Sequence, residues 1–63
     1  MLYEAVLQLC RKNNMTVSGL ERELNLSNAT IRRWKTASPT IPNVMKVANF
    51  FGVTIDDLVN DRV

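Results

Sequence analysis

From residue 27 to residue 35 the chain reads Ser-Asn-Ala-Thr-Ile-Arg-Arg-Trp-Lys. Wound as a helix, this stretch puts Ile31 and Trp34 on one side and leaves Thr30, Arg32 and Arg33 on the other. Its start presents Ser27, Asn28, Ala29 and Thr30, so small polar side chains come first and two guanidinium groups follow one turn later. The chemistry this allows is non-covalent recognition. The major groove of a duplex, about 12 Å wide, admits one helix, and its base edges are read by side chains of the Asn, Thr and Arg type. The flanking phosphates call for cations and helix N-termini.

Covalent chemistry has little to work with. The 63 residues contain no His, which removes the commonest general base and metal ligand, and a single cysteine. Cys10 suits a small buried hydrophobe on a helix better than a redox sensor. Asp56, Asp57 and Asp61 could be taken for a metal site, but the first two fit the positive first turn of a short helix. There is no Gly-rich phosphate loop and no pair of acids facing a pocket, so the chain is not expected to be an enzyme, and it implies no cofactor or metal.

Charge separates the middle of the chain from its ends. Residues 24 to 55 hold four bases and no acid, although the formal net charge of the whole is only +2. Such a segment attracts phosphates, but a solvated helix face would carry the same charges, so the sign alone decides nothing.

The elements that must position the 27 to 35 segment are helical. Leu2, Ala5, Val6 and Leu9 recur at helical spacing, and Tyr3, Leu7 and Cys10 form a second stripe beside them. An arc this wide is expected to touch two neighbours, or to face another protein with part of its surface. Asn13 and Asn14 offer a left-handed stop. A second helix starts at Thr16 or Ser18, with Ser18 and Glu21 in capping-box spacing, and buries Leu20 and Leu24. Asn25 then allows a sharp turn plugged by Leu26.

Ser27 caps a third helix over 28 to 35, in which the spacing of Trp34 and Ile31 reads as core, although an aromatic there could also stack on a base. Thr40 caps a fourth helix, with Pro42 in its first turn and Val44, Val47, Ala48 and Phe51 inward, closed by Gly52. Thr54 caps a fifth that turns Ile55, Leu58 and Val59 inward. No strand pattern, repeat or linker intervenes, so residues 1 to 63 are expected to form one all-α domain of five short helices.

At this length a folded chain buries only about 60% of the surface its unfolded form exposes, so a second domain is not expected. No apolar run approaches the roughly 18 residues needed to cross a bilayer. The start carries Glu4 where a signal peptide would be basic, one cysteine cannot close a disulfide, and the glycosylation-type triplets at Asn14, Asn25 and Asn28 lack an export signal to go with them. The expected location is cytoplasmic.

The run TVSGLERELNLSNATIRRWKTASPTIPNVMKVANFFGVTIDDL, Thr16 to Leu58, resembles the helix-turn-helix domain of the Cro and phage-repressor (xenobiotic response element) family of transcriptional regulators. LSNATIRRW over the turn and third helix, and KVANFFGVTIDDL over the last two, carry the likeness. The resemblance implies a compact five-helix lambda-repressor-like domain whose helices 2 and 3 form the motif, and a sequence-specific double-stranded DNA-binding regulator of the repressor type, from a phage or mobile element.

By that resemblance Asn28, Ala29, Arg32 and Arg33 contact bases, Asn suiting adenine, Arg guanine and the Ala methyl thymine. Phosphates fall to Thr16, Ser18, Ser27, Thr30, Lys35, Ser38, Thr40, Asn43 and Lys46. The implied partners are a double-stranded operator and a second copy of the chain on paired half-sites, with Val59 and Val63, or Tyr3 and Leu7, as candidate contacts. With no room for an inducer-binding domain, control would come from a missing C-terminal segment, a protein partner or concentration.

Three positions depart from the family pattern. Val17 stands where many members place Gln, and Asn25 replaces the turn Gly. Glu21 stands where a small Ala is usual and the helices lie close, so its long side chain is expected to bend outwards and splay the pair. The competing reading is a small helical protein-interaction module, antitoxin- or adaptor-like, using the arc on the first helix and Phe50, which lies off the main stripe of the fourth.

Overall fold

A computed structural model describes residues 2 to 63. Its order is α1 Leu2–Lys12, α2 Val17–Glu23, a single 3-10 turn of helix Arg32–Lys35, α3 Ile41–Phe51 and α4 Ile55–Val59, with no strand among the described residues. No helix among them is long and apolar enough to cross a membrane.

Helix α1 is the spine. It buries Ala5, Val6, Leu9 and Cys10 and packs against α2, the 3-10 helix and α4, three neighbours where two were expected. Tyr3 and Leu7 lie half-buried against the same core, so the wide apolar arc is largely used inside the molecule. Glu4 in the first turn and Arg11 and Lys12 in the last complement the helix dipole. Asn14, at φ 55°, breaks the helix, and the Asn13 side-chain amide donates to the Leu9 carbonyl at 2.8 Å.

Thr16, rather than Ser18, caps α2: its hydroxyl oxygen accepts the Gly19 N–H at 2.9 Å. The helix is stopped by Asn25 at φ 56°, with the Leu26 N–H returning to the Glu21 carbonyl at 2.8 Å. The core beneath is built from Val6, Leu20, Ile31, Val47 and Leu58, all fully buried, with Trp34 at its edge.

The third helix expected over 28 to 35 does not form as an α-helix. Residues 28 to 31 are turns, Ala29 is left-handed at φ 65°, and only Arg32–Lys35 winds, as a 3-10 helix. Four α-helices and one 3-10 turn thus replace the expected five helices. Ile31 and Trp34 nevertheless face inward as their spacing required.

Thr40 precedes α3 with no side-chain cap bond, and Pro42 occupies the first turn, where its missing N–H costs nothing. Gly52, left-handed at φ 71°, ends the helix, and the Val53 N–H closes onto the Ala48 carbonyl at 3.0 Å. Thr54 and Asp57 form a reciprocal capping box on α4, at 3.0 and 3.3 Å. Leu58 is buried and Ile55 half-buried there, but Val59 points outward, 56% exposed, because five residues of helix give only one buried stripe.

Candidate nucleic-acid interface

None of the residues expected to touch a nucleic acid is buried. Thr16, Ser27, Asn28, Arg32, Arg33, Lys35, Ser38, Thr40 and Lys46 are exposed, and Ser18, Ala29, Thr30 and Asn43 are half-buried. Seven of these thirteen line two hollows. The first, about 300 Å³, is lined by Thr30, Arg33, Trp34, Ala37, Ser38, Pro39, Thr40 and Asn43. It brings together five of the expected residues from three places in the sequence, at the foot of α3. The second, about 340 Å³, is lined by Ser18, Glu21, Arg22, Leu26 and Asn28 between α2 and the turn.

Hydrogen-bond bookkeeping separates these side chains. The Thr30 hydroxyl already donates to the Ser27 carbonyl at 2.7 Å, so its proton is committed within the turn. Ser27 contributes that carbonyl to the turn rather than the helix-capping hydroxyl expected of it. Thr40 makes no side-chain cap bond and lines the hollow at the N-terminal end of α3, an end of a helix where an anion is favoured. The Lys35 ammonium lies 4.9 Å from the centre of the Tyr3 ring, a cation–π contact that draws it toward α1. Lys46 lies one turn beyond Asn43 on α3.

The expected base-reading residues divide as well. Arg33 shares the first hollow with Ser38, Thr40 and Asn43, whereas Asn28 lines the second. Arg32 joins Asn28 directly, its Nη2 donating to Asn28 Oδ1 at 3.0 Å. Ala29 sits between them at the left-handed turn.

The residue that organises this arrangement is Glu21, which was expected to swing outwards. It is instead 2% exposed and points into the turn. Its carboxylate accepts the Ala29 N–H at 3.2 Å, the Ile31 N–H at 2.8 Å and the Arg32 N–H at 3.4 Å, and lies 3.7 Å from Arg32 Nη2. The reason is satisfaction of the backbone. The N–H groups that open any helical segment lack partners within it, and that of Ile31 is buried. Leaving such a donor unpaired costs about 1–3 kcal/mol, and a carboxylate turned inward here is compensated by several donors at once. Glu21 thus performs the capping that Ser27 was expected to supply. The signal available in sequence was an acid at a position where packing asks for a small residue.

A family profile described as the Cro/C1-type HTH DNA-binding domain matches residues 6–62, nearly the whole chain. No curated protein and no solved structure matches it significantly. The chain belongs to the Cro/C1-type helix-turn-helix DNA-binding domain family.

Proposed function

We propose that this domain is a sequence-specific transcriptional regulator, a repressor, that reads the major groove of double-stranded DNA with the segment 28 to 35. The observation that carries the reading is the division of that segment: Ile31 and Trp34 anchor it in the core while Asn28, Arg32 and Arg33 stand exposed, Arg32 bonded to Asn28. Base edges would meet Asn28, Ala29 and Arg32, with Arg33 close to both base and backbone. Phosphates would lie along Ser38, Thr40, Asn43 and Lys46 on one flank and Thr16 and Ser18 on the other. Ser27, Thr30 and Lys35 would contribute after giving up or sharing their internal contacts.

Two copies would act together. The longest dimension of the domain is 25 Å, less than the roughly 34–36 Å between half-sites one helical turn apart, so two domains fit side by side on one face of a duplex.

The test is selection from a random duplex library at about 0.15 M salt, where weak electrostatic binding is already much reduced. Paired enriched half-sites are the expected result. A folded domain that enriches no sequence would refute the reading.

A further inference from the structure

We propose that Glu21, although buried and out of reach of DNA, is a positioning residue for base readout, fixing sequence preference through Arg32. The inference rests on the reading of Asn28 and Arg32 as base contacts. Glu21 holds Arg32 at two points, accepting its backbone N–H at 3.4 Å and lying 3.7 Å from its Nη2. The same Nη2 donates to Asn28 Oδ1 at 3.0 Å. One buried carboxylate therefore sets the direction of a guanidinium whose side chain is still 44% exposed, and that guanidinium sets the side-chain amide of Asn28.

Both side-chain contacts use Nη2, which leaves Nη1 to meet an acceptor outside the protein. Arg33, next in sequence, has no side-chain hydrogen bond or ion pair of this kind among the described residues. A side chain already held in its reading geometry loses less freedom on binding, so the tether favours the one base pair that suits that geometry.

The two carboxylate oxygens divide the work, and this makes the inference testable. One oxygen accepts from Ile31 and Arg32; the other accepts from Ala29 and faces the guanidinium. In Glu21→Gln the carbonyl oxygen can keep the buried Ile31 N–H satisfied while the amide nitrogen, a donor, faces Ala29 and Arg32 and cannot hold either. Wild type, Glu21→Gln, Arg32→Ala and the double variant are each put through selection from the random duplex library, with far-UV circular dichroism to confirm folding.

Arg32→Ala should relax discrimination at particular base pairs. Glu21→Gln should relax the same base pairs, by about tenfold, and the double variant should lose little more than Arg32→Ala alone. A Glu21→Gln protein that keeps the wild-type preference, or weakens on every duplex alike, would overturn the inference while leaving the DNA-binding reading intact. A wild type that enriches nothing would overturn both.

If Glu21→Gln does not fold, nitrogen-15 relaxation of the guanidinium groups in the unaltered protein decides. Arg32 should be ordered and Arg33 mobile, and equal mobility of the two would overturn the inference.

Discussion

Replacing Ala29 by glycine gives opposite signs for the two conformations open to residues 28 to 35. In the structure Ala29 has φ 65°, a left-handed conformation that costs an L-residue with a Cβ about 1–2 kcal/mol. Glycine removes that strain but has more freedom to lose from the unfolded chain, about 0.4–1 kcal/mol. The balance is a stabilisation of about 0–1.6 kcal/mol, centred on about 0.8. Had the segment formed a continuous α-helix from Asn28, the same change would destabilise by about 0.5–1 kcal/mol, since glycine is a poor helix former.

A domain of this size is held by roughly 3–9 kcal/mol in total, so the difference is readily measured. Urea unfolding followed by far-UV circular dichroism should show the midpoint rising by up to about 1 M with an unchanged slope. Asn25→Gly, at φ 56°, is the comparison, and its gain should be smaller because Asn tolerates the left-handed region. A lowered midpoint for Ala29→Gly would refute the left-handed turn and with it the account of Glu21 as its cap. The same variant should bind DNA with less preference for thymine, having lost the methyl group, so stability and specificity would move in opposite directions.

Gly52→Ala is the mirror experiment. At φ 71° a Cβ would meet nothing within 4 Å, so the cost is conformational strain alone, about 1 kcal/mol, read as a fall of about 4–8 °C in Tm. Burial pushes the Cys10 thiol above its ordinary pKa. The folded state therefore keeps that proton where the unfolded chain releases it; the contribution is intact at neutral pH and declines as pH rises past the ordinary thiol value, about 8.5. Alkylation at pH 8 should accordingly be slow in the native protein and fast in urea, and equal rates would contradict the burial. Lys46→Ala should weaken binding to all duplexes alike and reduce the salt slope by about 1, leaving the selected sequence unchanged; a changed sequence would move Lys46 from the phosphates to the bases.

What could be read from the sequence was what depends on near neighbours. The spacing of Ile31 and Trp34, and of Val44, Val47 and Ala48, placed their side chains in the core, and they lie there. Asn25 and Gly52 advertise left-handed turns by their residue types, and both adopt them. Thr16 and Thr54 cap as hydroxyls at helix starts should.

What could not be read was longer in range. Ala29 carries no mark of a left-handed residue, because the conformation is imposed by the surrounding fold rather than by Ala itself. The donors that hold Glu21 inside lie eight to eleven residues away in sequence. A local rule therefore assigned the capping to Ser27, and the close helix packing implied by the family likeness sent Glu21 outward; both expectations failed because neither counted those distant donors. Val17, an apolar substitute for Gln at the start of α2, is explained more simply: it is buried in the core, and it presents no side-chain hydrogen bond there to a phosphate.

The 3-10 turn Arg32–Lys35 begins at the same buried acid. Four residues with contacts such as Trp34 N–H to the Ile31 carbonyl at 2.9 Å cannot stabilise themselves, since nucleating so short a helix is unfavourable. Its conformation is held by the Glu21 carboxylate at its start, by the burial of Ile31 and Trp34, and by the Thr36 and Ala37 N–H groups that close onto the Arg33 carbonyl at its end. The first of these constraints also contacts Arg32, so if Arg32 reads bases as proposed, stability and base preference share a residue on this surface. On the proposed reading, a substitution at Glu21 would alter what the domain prefers as well as how firmly it folds, whereas one at Lys46, on α3 and outside that network, would change only how tightly the duplex is held.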